Sequence, residues 1–172
     1  MLGDIDRQQS SRTWLKQRPA DMPQIQSWDV DAENVSRPPR GATHVVLDTP
    51  AGLHGRKLEK VLQQADKVLI PLQASMFDIN PTIEFIKEVA NHHHEGRLEV
   101  AVVGNRVRDN TTAADRLKEF LDTLDVPALT ILRDTQNYVH LSAHGLTLWD
   151  VMPHQVSKDL EEWAPIVNWL KV

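Results

Sequence analysis

The sequence has no cysteine, which excludes disulfides, thiolate metal sites and cysteine nucleophiles. No run approaches the roughly 18 apolar residues that a membrane-spanning helix needs. Near the start Leu2 and Ile5 are apolar but are interrupted by Asp4 and Asp6, so no secretory leader is expected and a cytoplasmic location is. A basic surplus is missing too: 19 Lys and Arg against 24 Asp and Glu give a net charge of -5. Nucleic-acid binding is therefore not written into the composition and would need a local basic patch. Neither Ser10 nor Ser142 sits in a Gly-x-Ser-x-Gly nucleophile turn.

What is present is ordinary for a globular chain. Its 172 residues are 41% hydrophobic and 25% charged, enough for one domain with its own core. Short apolar runs read as buried strands: His44–Asp48, Lys67–Leu72, Leu98–Gly104 and Ala128–Leu132. They are rich in Val, Ile and Leu with little alternation, as parallel strands covered on both faces are. Between them the spacing predicts helices near Gly55–Gln64, Asn80–His92 and Thr111–Leu124. This alternation predicts an α/β fold with a doubly wound, mostly parallel sheet and helices on both faces.

The first 43 residues read differently. Met1–Ile5 looks like the end of a strand, Gln8–Gln17 like a helix stopped by Pro19, and Gln24–Trp28 like a short edge strand before a loop. At the other end, Leu160, Trp163, Val167 and Leu170 share one helical face that should cover the sheet, and Pro165 predicts a kink or a restart.

Three places carry candidate chemistry. Asp48-Thr49-Pro50-Ala51-Gly52 follows a strand directly, where open α/β sheets bind ligands. A carboxylate there suits a hydrated magnesium ion, and Gly52 lets backbone approach a phosphate. The same pentapeptide also reads as an Asp capping the next turn. Asp4-Ile5-Asp6 brings two more acids to the same edge, and converging acids repel unless a cation is near. They also read as solvated acids at a helix N-terminus. Asn105 ends another strand, where an amide can pair with a purine edge or simply make a turn.

Taken in order, these segments resemble the ParA/MinD family of P-loop ATPases. GDIDRQQSSRTWL is similar to the segment after that family's first βα unit, and VVLDTPAGL to its Walker B strand and second switch. ADKVLIPLQASMFDI, VVGNRV and ILRDTQNYVHLSAHGLTLWDV resemble its later strands, including the one ending in the adenine-contacting Asn. The resemblance implies that Asp48 holds the magnesium water shell, supported by Asp4. It also implies that Asp6 orients the attacking water, Gly52 senses the γ-phosphate, Asn105 contacts adenine, and Arg133 and Asp134 flank the base. ATP and Mg²⁺ would be the cofactors, and ATP hydrolysis would drive a dimerisation switch. The partners would be a second copy, DNA bound without sequence preference, and a partition-type adaptor.

One departure is as informative as the match. The family's Lys-Gly-Gly-x-Gly-Lys-Thr loop is not in this sequence, and no Gly-Lys-Ser/Thr occurs among its seven glycines. The expectation is a single partial ATPase domain lacking one βα unit, roughly thirty residues, with no useful ATP affinity by itself. In the resembled fold a further strand lies beside His44–Asp48, so that strand should have an open edge here. The alternative function is a non-catalytic interaction module on the same fold. A phospho-accepting receiver domain would need a Lys after a later strand, and Ile131-Leu132-Arg133 offers none.

Two remaining features read as solvated surface. His92-His93-His94 are adjacent, so helix geometry spreads them about 100° apart. Arg106, Arg108, Arg116 and Lys118 are diluted by Asp109, Asp115 and Glu119.

Overall fold

The computed structural model describes residues 1–31, 35–92 and 98–171. Its strands are β1 (Leu2–Asp4), β2 (Ser27–Trp28), β3 (Val46–Asp48), β4 (Lys67–Gln73), β5 (Glu99–Val107) and β6 (Ala128–Arg133). Its helices are α1 (Ser10–Gln17), α2 (Gly55–Leu62), α3 (Met76–His92), α4 (Thr112–Leu121), α5 (Gln136–Ala143) and α6 (Ser157–Leu170). The chain forms two compact units, one of residues 1–64 with 137–151 and the other of residues 65–136 with 152–172. Each holds a three-stranded, wholly parallel sheet, in the orders β2-β1-β3 and β4-β5-β6. The α/β class read from the sequence is the one observed.

In the first unit β1 is the central strand, and Gly3 is what allows it. A Cβ there would lie 2.7 Å from the Trp28 ring and 2.9 Å from Val30, so glycine lets buried Trp28 close over the strand. The expected short edge strand is present as β2. β3 is the opposite edge of this sheet; among the described residues it pairs with β1 alone, and Val46 on it is 61% exposed. Within this sheet it is the unpaired edge expected of the HVVLD strand. α2 buries Leu58, Val61 and Leu62, one face at helical spacing.

In the second unit β5 is central and buried from Val100 to Gly104. α4 starts where the Thr111 hydroxyl accepts the Ala114 N–H at 3.2 Å, an N-cap. It buries Ala114, Leu117 and Leu121, one face at helical spacing. A Cβ on Gly104 would lie 3.0 Å from Ile131 and 3.3 Å from Leu117, so the glycine admits α4 against the sheet. α3 begins at Met76, ahead of the expected Asn80, with Pro81 inside it. The side chains of His92–His94 lie outside the described residues.

α6 departs from expectation twice. It continues through Pro165 without the restart that was one of the two expectations. Pro165 and Glu161, four residues before it, are both exposed, so water can satisfy the carbonyl left without a donor. Its inward residues are Asp159 and Ile166, with Trp163 against Val103, Leu132 and Ile166. The fully buried face is offset from the one expected through Leu160, Trp163, Val167 and Leu170: the first three are half-buried and Leu170 is 43% exposed. The reason is an ion pair: buried Asp159 receives the Arg133 Nε–H at 2.6 Å, and a charge on the inner face hides it from an apolar pattern. Among the described residues no helix is long and apolar enough to cross a membrane.

Candidate functional site

β1 and β3 run parallel and end together, so Asp4 and Asp48 are register partners at the carboxyl edge of their sheet. Neighbouring strands lie about 4.8 Å apart, and partners in register project to the same face. Asp6 follows two residues beyond Asp4 in the same turn. The structure thus brings Asp4, Asp6 and Asp48 to one rim.

Each carboxylate there has a distinct set of donors. Asp4 is 2% exposed. Its Oδ1 accepts the Asp6 N–H at 3.0 Å and its Oδ2 accepts the Arg12 N–H at 3.1 Å. α1 has no side-chain cap from its own N-cap residue Gln9, so Asp4 caps this helix from the neighbouring strand, a favourable place for negative charge. Asp6 Oδ1 accepts the Gln8 N–H at 2.8 Å, and its carbonyl accepts the Gln9 N–H at 3.2 Å. Gln9 adopts the left-handed conformation, φ 49° and ψ 42°, uncommon for a residue with a Cβ. Half-buried Asp48 accepts the Ser11 hydroxyl at 2.5 Å on Oδ2.

Arg7, next to Asp6 in sequence, is exposed, and Arg12 in the first turn of α1 turns away to Asp29 at 3.2 Å. Among the described residues no Lys or Arg forms an ion pair with any of the three acids. Gly52, four residues past Asp48, is exposed with φ +74°, the backbone region that favours glycine. Its carbonyl lies 2.6 Å from His54 Nδ1.

Asn105, Arg133 and Asp134 belong to the second unit. Asn105 is half-buried near the end of β5, in register with Gln73. The next residue, Arg106, has φ 54° at an irregularity in the β5–β6 register. Asp134 donates its N–H to the Val107 carbonyl at 2.9 Å, which ties the ends of β5 and β6 together. Its carboxylate receives Arg108 at 2.9 Å, with Arg106 at 4.0 Å. The Arg133 guanidinium reaches Asp159 on α6, and the Arg133 backbone N–H donates to Glu162 Oε2 at 2.9 Å.

Ser11 at the rim, and Arg18, Thr147 and Asp150 at the other end of α1, were not singled out from the sequence. Arg18 and Asp150 form a buried pair that ties α1 to the turn after α5, at 2.9 Å for both bonds. Thr147 and Asp150 make a reciprocal cap, and Thr-x-x-Asp was the signal that would have found it.

Among the described residues no cluster of three or more His, Cys, Asp or Glu is arranged to hold a metal unaided. The donor chemistry at Asp48 still fits magnesium, a hard cation that binds one or two carboxylates and keeps several waters. Asp4 fits less well as a direct ligand, since both of its oxygens hold backbone N–H groups.

No family model matches this sequence, and no curated protein matches it significantly. Among solved structures, a plasmid partition protein from Borrelia burgdorferi is 23% identical over 61% of this chain, with a TM-score of 0.46. The chain spans 44% of that protein's length. The MinD cell division protein of Aquifex aeolicus is 15% identical, with a TM-score of 0.64 over 99% of this chain and 84% of its own. The chain therefore has the α/β fold of MinD, the fold that its ordered motifs imply.

Proposed function

We propose that this chain is a ParA/MinD-type domain of a DNA-partitioning or cargo-positioning system, and that it carries the acidic half of a nucleotide site without the phosphate-binding half. The carrying observation is the pairing of Asp4 with Asp48 at the ends of adjacent parallel strands, with no Lys or Arg among the described residues in an ion pair with either. In this reading Asp48 holds the magnesium water shell, and Asp4 supports it by fixing the loop and the start of α1. Asp6 orients the attacking water, and Gly52 offers its backbone to the terminal phosphate. Magnesium, when bound, supplies charge neutralisation at the phosphates.

P-loop proteins hold phosphates mainly through loop N–H groups, a helix N-terminus and a lysine. No Gly-Lys-Ser/Thr loop is present in this sequence. By itself the chain is then an interaction module with a nucleotide-site remnant, and its partners are a second copy, an adaptor, or DNA. Calorimetry with ATP and Mg²⁺ tests this: the expectation is no binding at micromolar nucleotide, and a micromolar dissociation constant overturns it.

A further inference from the structure

α1 starts just past the acidic loop and has no buried residue. A helix of eight residues is too short to persist in water unaided. It is held by its two ends. At the N-terminal end the Arg12 N–H and the Ser11 hydroxyl meet Asp4 and Asp48. At the C-terminal end Arg18 donates two bonds to Asp150, both 2.9 Å, a third to the Gly145 carbonyl at 3.1 Å and a fourth to the Pro23 carbonyl at 2.8 Å. Its guanidinium also lies 5.7 Å from the centre of the Trp14 ring, a cation–π distance.

The socket for Arg18 is built and closed. Both side chains of the pair are 5% exposed. Asp150 Oδ2 also accepts the Thr147 N–H and hydroxyl, each at 2.7 Å. Gly145 has φ +67°, and a Cβ there would fall 2.6 Å from the backbone of Gln17 and Arg18. The turn after α5 can approach the end of α1 this closely only with glycine at that position.

We propose that the Arg18–Asp150 pair is a positioning element for the acidic rim. By pinning the far end of an otherwise unburied helix, it sets where Ser11 meets Asp48 and where the Arg12 N–H meets Asp4. Ser11 and Arg18 are seven residues apart, about 10 Å along a helix at 1.5 Å per residue, so a rigid α1 transmits the constraint. Loss of either end loosens the helix, because its apolar Trp14 and Leu15 are only half-buried and no α1 residue is fully buried. The clasp acts with or without nucleotide.

Amide hydrogen exchange by NMR on the full chain tests this, comparing wild type with Asp150→Asn and the milder Thr147→Val, which removes one hydroxyl. The expected result is at least tenfold faster exchange at Arg12 in Asp150→Asn and a smaller acceleration in Thr147→Val, with Val102 in β5 little changed. Faster exchange confined to residues 145–150, with Arg12 unchanged, overturns the proposal. Equal acceleration at Arg12 and Val102 in both variants also overturns it, since that is loss of the whole fold. A stability cycle gives a second readout. Ser11→Ala and Asp150→Asn together should cost less than the sum of the two, because the first change already frees the helix. Strict additivity is the contrary result.

Discussion

Asp4 and Asp48 are register partners on one face of a sheet, yet they are used differently. Asp4 is buried and holds two backbone N–H groups; Asp48 is half-buried and holds the Ser11 hydroxyl. The difference follows from where α1 begins. Its first turn leaves N–H groups without helical partners, and Asp4 faces them. Asp48 keeps more of its surface for a ligand.

Asp4→Ala should therefore be the most destabilising single change at the rim. It removes two charge-assisted bonds and leaves the N–H groups of Asp6 and Arg12 short of an acceptor. Bonds to charged groups contribute about 1.5–3 kcal/mol each, so a loss of about 3 kcal/mol is expected. Asp48→Asn should cost less than about 1 kcal/mol, because an amide oxygen still accepts the Ser11 hydroxyl. Urea denaturation of both variants measures the contrast, and equal losses would count against the division of roles.

Asp150 gives a pH dependence of definite sign. Hydrogen bonding from Arg18, opposed by burial and aided by Thr147, lowers its pKa from 3.8 to about 2. The folded state thus binds its proton less readily than the unfolded chain does. The stabilisation is fully present above pH 4 and is lost as pH falls from about 4 towards 2. A shift of this size corresponds to about 2 kcal/mol. Melting curves across that range should show an acid-sensitive step, and Asp150→Asn should flatten it.

The open edge of β3 predicts association. Val46 is 61% exposed on a strand paired on one side only, and unpaired strand edges recruit other strands. Sedimentation velocity should show concentration-dependent self-association, reduced by Val46→Lys, which charges the edge. A monodisperse monomer at every concentration would contradict this.

The sequence made the strands themselves legible because parallel strands are nearly continuous apolar runs, as Val100–Val103 in β5 shows. It also placed the acids on one rim, because each ends such a run. It did not reveal the clasp of Arg18 and Asp150, whose partners lie 132 positions apart and share no period. The inward face of α6 was misread for a related reason: Asp159 is charged, and its burial depends on Arg133 from another element. Long-range polar pairs leave no local pattern for hydrophobic periodicity to find.

The central claim is that the rim around Asp48 is the acidic half of a cation–phosphate site. Manganese is a paramagnetic, oxygen-preferring substitute for magnesium, and NMR line broadening locates it residue by residue. Millimolar Mn²⁺ should broaden the amides of Asp6 and of Asp48 to Gly52 before those of the rest of the chain, and Asp48→Asn should abolish the effect. Broadening centred elsewhere, or left unchanged by Asp48→Asn, would contradict the account.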